Sequence, residues 1–294
     1  MEIKKAIIPI AGLGTRFLPL SKILPKELWP LVDKPVIQYI IEETKASGIS
    51  QIIFVISPEK RVVLDYFKKY YFQKSAKLEK RLKDKNKITF LQELKKLEEL
   101  CQNLSFSFVF QKKPLGDGHA IFLTRNLVKG EPVAVSFGDD IVDSQTPCLL
   151  QLIKIFKTAQ KPVIALYRIP EEKIPSYGIV KVERITSRLY KIKKIVEKPA
   201  IDEAPSDLAI VGKYILTPEV FDYLKKAKPS KKGEIMLAET LDSMIKDGKI
   251  IYGYQFEGKW LECGNKLNWL KSSFYLSLKH HKFGPKLKEY LKEI

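Results

Sequence analysis

The chain has 294 residues, 45% of them hydrophobic and 29% charged, with a formal net charge of +18. That length buries a full core in one large or two small α/β domains without disulfides or structural metal. The apolar runs fall far short of the ~20 residues of a bilayer span, and the run at 6–10 is too short for a signal peptide, so the expected compartment is the cytoplasm. The positive excess is mainly lysine, much of it in residues 68–96 and 271–292. It lacks the interleaved aromatics of an RNA-binding sheet and any helix-turn-helix pattern. It reads as a solvated surface, with no nucleic-acid and no membrane partner expected.

In chain order, "AIIPI" (6–10) and "QIIFVIS" (51–57) are short, β-branched and almost fully apolar, as parallel strands covered on both faces would be. Between them "VIQYIIEETKASG" sets Ile37, Ile40, Ile41 and Thr44 at helical spacing, and Gly48 supplies a stop. Together they make a βαβ unit. Residues 66–104 contain no Gly or Pro and predict a helical excursion packed on the domain, with Leu91, Leu94, Leu97, Leu100 and Leu104 along one face. "SFSFVFQ" (105–111) and "PVAVSFGDD" (132–140) are the next expected strands, with the helix "GHAIFLTRNLV" between them.

"KPVIALYRI" (161–169), "YGIVKVE" and "LYKIKKIVEKP" read as further strands, the last two as neighbours. "LAIVGKYILTPEVFDYL" is a strand running into a helix, with Thr217 as N-cap and Pro218 at the first helical position. Strands alternating with helices predict a doubly wound α/β sheet. No linker or repeat divides the chain, so one domain is expected over 1–294, with the helical insertion at about 66–104 and a basic helical tail at about 270–294. Cys101, Cys148 and Cys263 are widely spaced, which argues for reduced thiols and against a disulfide or zinc framework.

The chemistry concentrates in "KAIIPIAGLGTRFLPLSKILPKELWP" (5–30). A P-loop needs a GK pair followed by Ser or Thr, which is missing here. A dinucleotide fingerprint needs a third small residue and a helix; Phe17 takes that place, and Pro19 and Pro25 oppose a long helix. What remains is an extended loop wrapping a nucleotide. Gly12 and Gly14 admit phosphate close to the backbone, and Arg16 and Lys26 supply cations.

The longer stretch "GLGTRFLPLSKILPKELWPLVDKPVIQY" strongly resembles the signature of sugar-1-phosphate nucleotidylyltransferases, most closely the bacterial UTP–glucose-1-phosphate uridylyltransferases. The resemblance runs from Lys4 to about Phe274. It implies a Rossmann-like three-layer α/β/α fold with a mixed, mostly parallel central sheet. It also implies transfer of a uridylyl group from UTP to glucose 1-phosphate, Mg²⁺ as cofactor, and a homo-oligomer, dimer or tetramer. By the same resemblance, nucleotide contacts fall on Ala11, Gly12, Gly14, Thr15, Arg16, Lys26 and Glu27. Gln111 and Gly116, around "PLGDGHA", fall where the family reads the base. In "VSFGDDIV", Asp139 matches the Mg²⁺ ligand, and Asp140 assists or caps. Gly178, Glu197, Lys198, Gly212 and Glu234 match sugar-phosphate contacts. Arg16, Lys26, Asp139 and Lys198 form the implied catalytic set. An acid–base role for His119 is not expected, because the attacking phosphate is already anionic.

Two departures stand out. "WLECGNKL" offers Glu262 where the family usually has an aspartate as second metal ligand, and "GEIMLAET" replaces the relatives' "GEIQLTDA", putting Met236 and Ala238 at polar positions. Two rival readings share the scaffold. One is an enzyme for dTTP or another sugar phosphate, against which the helical excursion favours the uridylyl branch by resemblance. The other is a non-catalytic sugar-nucleotide binder.

Overall fold

The computed structural model describes residues 2–67, 69–230 and 233–294, the side chains of 69–76 excepted. Lys68 and those side chains, all within the expected helical excursion, therefore lie outside the described residues. The first half is laid out as β1 (Lys5–Pro9), β2 (Pro30–Leu31), β3 (Lys34–Pro35), α1 (Val36–Ala46), β4 (Gln51–Ile56), α2 (Arg61–Phe67), α3 (Lys69–Asp84), α4 (Ile88–Cys101), β5 (Ser105–Phe110), α5 (Asp117–Leu123), α6 (Arg125–Val128), β6 (Val133–Ser136) and β7 (Asp140–Asp143). There follow α7 (Cys148–Ala159), β8 (Val163–Arg168), β9 (Gly178–Arg184), β10 (Leu189–Glu197), β11 (Leu208–Leu216), α8 (Glu219–Lys226), α9 (Leu237–Lys246), β12 (Tyr252–Gln255), β13 (Lys259–Glu262), α10 (Lys266–Lys279) and α11 (Gly284–Tyr290).

Among the described residues the central sheet has nine strands in the order β5-β4-β1-β6-β11-β8-β12-β10-β9. Following the pair orientations across it, only β11 and β10 run against the other seven strands, so the sheet is mixed but mostly parallel. Period-two alternation explains the layers. In β1, Ala6 and Ile8 face a core shared with α1, α2 and α7, whereas Ile7 faces the opposite core, shared with α5, α8 and α9. Apolar side chains on both faces of each strand demand helices on both faces, hence three layers.

Helix α1 ends where expected: Gly48, at φ +84°, turns the chain and donates its N–H to Lys45. In the excursion, α3 and α4 are joined through Asn86 at φ +52°, and Leu97, Leu100 and Leu104 pack on the core beside α1 and α2. Two expectations shift. Helix α8 begins at Glu219, and Thr217 contributes its carbonyl to Val220 N–H with no side-chain cap. The strand expected over 132–140 stops at Ser136. The chain leaves the sheet at Phe137, whose N–H reaches Gly212 O at 2.7 Å, and resumes as β7 in a separate two-stranded sheet with β13.

Candidate active site

The opening loop forms no long helix. It folds as three single 3₁₀ turns at Thr15–Phe17, Leu20–Lys22 and Lys26–Leu28. Gly14 sits at φ +68°, ψ 29°, a conformation that a side chain disfavours, and a Cβ on Gly12 would meet open space in the cavity. Phe17, the residue that displaces the dinucleotide helix, is buried. It packs edge-on against Trp29 at 4.6 Å, and Trp29 does the same against Trp269 of α10 at 5.1 Å. The aromatic stack thus clamps the loop to the body of the protein.

This loop walls a cavity of about 430 Å³ that contains Ala11, Gly12, Gly14, Thr15, Arg16, Lys26, Glu27, Gln111, Gly116, Asp139 and Glu234. A second cavity of about 260 Å³ contains Gly178, Glu197, Lys198, Gly212 and Glu262. Arg16, Asp117, Phe137, Asp139, Met236 and Gly264 line both, so the two are halves of one cleft. Every residue singled out in the sequence for chemistry lies on this cleft. Glu234 lies in the loop-side half, away from the other residues matched to the sugar phosphate.

Local contacts explain the placement. Gln111, at the end of β5, donates its amide to Gly116 O at 2.9 Å and to His119 Nδ1 at 3.0 Å. Among the described residues nothing donates to its Oε1, and His119 Nδ1 is the acceptor for its amide. Gly116 has φ +93°, and a Cβ there would lie 2.4 Å from Ile235 O, so only glycine fits. The carboxylate of Glu27 is taken up by a buried, two-pronged pair with Lys60 at 2.9 Å, so Glu27 forms wall and not a free charge.

The β7–β13 ladder pairs Glu262 with Asp140, and Cys263 N–H bonds Asp139 O at 2.7 Å. Two segments more than a hundred residues apart are thereby closed onto each other. A Cβ built on Gly264 would stand 3.1 Å from both Asp139 Oδ2 and Glu262 Oε1, so both carboxylates face one point. Lys26 Nζ holds Asp139 Oδ2. Burial pushes the Asp139 carboxyl up, but Lys26, Arg16 and Lys60 outweigh it and hold it below the usual range. Lys26 is the converse: burial lowers it, and Asp139 with Glu27 raises it above the ordinary lysine value. Glu262 Oε2 accepts from Tyr177 OH at 2.5 Å and from Asn268 Nδ2, which fixes its other oxygen toward the cleft.

Asp140 caps no helix. Its oxygens accept from Trp260 Nε1 at 2.7 Å and Gly212 N at 3.2 Å; burial and the neighbouring Asp139 push it up to about 7. A Cβ on Gly212 would lie 2.3 Å from that carboxylate, which explains the glycine in the middle of β11. Next to it, Lys213 is fully buried and pairs with Glu43 of α1 at 2.8 Å and Ser136 Oγ at 3.0 Å. Glu197 and Lys198 form an ion pair at 3.2 Å, with Lys198 in the left-handed region at φ +48° and its N–H on Tyr177 O. Asp117, Tyr177, Trp260, Lys213 and Asn268 went unassigned in the sequence; the first four lie inside stretches quoted for their neighbours, and Asn268 falls just beyond "WLECGNKL".

Comparison with known proteins identifies the family. The nucleotidyl transferase family model matches residues 5–274. UTP–glucose-1-phosphate uridylyltransferase 1 of Staphylococcus saprophyticus is 40% identical over 294 residues, covering 100% of this chain and 99% of the relative. The Bacillus subtilis UTP–glucose-1-phosphate uridylyltransferase is 40% identical over 277 residues, covering 94% and 92%. Among solved structures, a UDP-glucose pyrophosphorylase complexed with UDP-glucose superposes with a TM-score of 0.84 at 36% identity, over 95% of this chain and 100% of the other. The UTP-bound enzyme from Acinetobacter baumannii superposes at 0.89 with 33% identity and full coverage of both chains. The chain belongs to the nucleotidyl transferase family, on the branch of the UTP–glucose-1-phosphate uridylyltransferases.

Proposed function

We propose that the protein transfers the uridylyl group of UTP to glucose 1-phosphate, releasing pyrophosphate and forming UDP-glucose. The observation that carries this reading is the divided cleft, whose glycine loop and cations on one side and Glu197–Lys198 on the other meet at Arg16 and Asp139. Two polyanions brought together there face fixed positive charge on both sides.

On the loop side, the backbone at Gly12 and Gly14, with Ala11, Thr15, Arg16 and Lys26, holds the triphosphate. Gln111 Oε1 accepts the imide N–H of a uracil ring and Gly116 N–H donates to a ring carbonyl. On the other side Lys198 seats the sugar phosphate while Glu197, Gly178 and Gly212 bound the sugar, which Glu234 meets from the loop-side half. The phosphate oxygen attacks the α-phosphorus in line as an anion, so it needs no general base; His119, tied to Gln111, is not one. Arg16, between the halves, faces the charge that grows on the transferring phosphoryl oxygens.

Asp139 and Glu262 would hold the Mg²⁺. The donor set fits a hard cation: two carboxylate oxygens converge beside Gly264, and among the described residues no larger cage of His, Cys, Asp or Glu exists. Magnesium characteristically takes one or two carboxylates and completes its shell with phosphates and water. When bound it offsets charge on the triphosphate and the leaving pyrophosphate. Lys26 keeps Asp139 ionised, and Tyr177 and Asn268 aim the longer Glu262 into the cleft where an aspartate is usual.

The reading treats 1–294 as one nucleotidyltransferase domain, with an insertion at about 66–104 and a tail at about 270–294. A homo-oligomer, dimer or tetramer, fits the exposed stripe Leu267, Leu270 and Phe274 on α10. Among the described residues no helix is long and apolar enough to cross a membrane; a cytoplasmic location fits the three free thiols. A grid of UTP, dTTP and other nucleoside triphosphates against hexose 1-phosphates, scored by pyrophosphate, tests the proposal. The highest turnover is expected for UTP with glucose 1-phosphate. UTP binding without pyrophosphate release in every pairing would leave a sugar-nucleotide binder, and a higher rate with dTTP would move the specificity.

A further inference from the structure

Asp117 opens α5 inside "PLGDGHA" and stands where the two halves of the cleft join. Its Oδ1 accepts from Gly118 N at 2.6 Å and from Leu237 N, the first residue of α9, at 2.9 Å. Among the described residues no group bonds its Oδ2, although the side chain lines the cleft. The surroundings select what that oxygen takes. Burial pushes Asp117 up to about 6 against the two backbone N–H groups that lower it, and the nearby Glu197 and Glu234 add to the rise. A third carboxylate among them repels phosphate and favours a neutral donor. The adjoining wall is apolar, made by Ile210, Phe137, Met236 and Ala238. It suits the C–H face of a pyranose, and Met236 and Ala238 bring no hydroxyl or amide of their own.

Resting on the function proposed above, we infer that Asp117 is a positioning and specificity residue whose Oδ2 accepts a hydrogen bond from a ring hydroxyl of the sugar phosphate. Asp117→Asn separates this role from helix capping. Asn keeps an Oδ1 for both backbone N–H groups but places a donor where the free acceptor stood. The expected result is a KM for glucose 1-phosphate raised about ten- to a hundredfold, the loss of a hydrogen bond to a charged group, with KM for UTP and Tm little changed. Among the monodeoxy glucose 1-phosphates, one should lose most of its kcat/KM with the wild-type protein and little with Asp117→Asn. Calorimetry with UDP and UDP-glucose gives the same answer without turnover: Asp117→Asn should weaken UDP-glucose about tenfold or more and leave UDP unchanged.

A variant that shifts only Tm, with all constants unchanged, makes Asp117 a helix cap and overturns the inference. So does a variant that weakens UTP and UDP but not the sugar phosphate, which places the contact on the ribose. A wild-type protein that turns over normally beside an unaltered Asp117→Asn defeats this inference alone. A wild-type protein that binds UDP-glucose but releases no pyrophosphate defeats the proposed reaction, and the calorimetric comparison then decides Asp117.

Discussion

Replacing Lys198 by alanine separates charge placement from folding. The Glu197–Lys198 pair spans 3.2 Å, but its side chains are 25% and 53% exposed, so solvent screening leaves it worth about 0.5 kcal/mol or less. The backbone at φ +48° disfavours alanine about as much as lysine, so the substitution gains nothing there. Stability should therefore change by less than about 1 kcal/mol, a Tm shift of about 4 °C or less. The lost contact with the sugar phosphate should lower kcat/KM by about 10²–10³, the usual cost of removing one donor aimed at developing charge. Lys198→Gly is the companion: it should lose as much activity while becoming slightly more stable, since glycine takes positive φ freely. The assay is steady-state pyrophosphate release beside a thermal melt. A kcat/KM within about threefold of the wild type would refute the assignment to Lys198, and a large fall in Tm would show that the loss was structural.

Three further outcomes follow from the cleft. Gly116→Ala forces a Cβ to 2.4 Å from Ile235 O at φ +93°, so it should cost on the order of 2 kcal/mol and raise KM for UTP at least about tenfold, measured by denaturation and kinetics. Glu262→Gln removes one of the two charges converging beside Gly264; the magnesium concentration for half-maximal turnover should rise about tenfold or more, and an unchanged magnesium titration would clear Glu262 of metal binding. Lys213→Met leaves Glu43 without its buried partner, so a denaturant titration should show a loss of about 3–5 kcal/mol.

What could be read in the chain beforehand was local. The prolines after Gly14 excluded a dinucleotide helix, and three 3₁₀ turns stand there. The nearly unbroken apolar runs at 6–10 and 51–57 marked strands covered on both faces, and each successive side chain there does enter the opposite core. What escaped depended on distant partners. The strand expected over 132–140 stops after Ser136: Phe137 still bonds Gly212 of the neighbouring β11, and then Gly138 closes on Ile10, whose Cγ2 a Cβ would meet at 2.4 Å. Asp140 reads as a helix cap or a metal helper until Trp260 and Gly212 are seen to hold it. Asp117 sits between two glycines as an ordinary turn residue, and only the approach of α9 gives its carboxylate a direction.

The most direct measurement mixes stoichiometric protein with UTP and Mg²⁺, follows pyrophosphate for several minutes, and then adds glucose 1-phosphate. A cleft in which the sugar phosphate itself attacks should release no pyrophosphate from UTP alone, and afterwards pyrophosphate and UDP-glucose in equal amounts. A burst of pyrophosphate before the sugar phosphate is added, equal to the protein present, would mean a uridylyl-enzyme intermediate. No pyrophosphate even with both substrates would contradict the proposed reaction altogether.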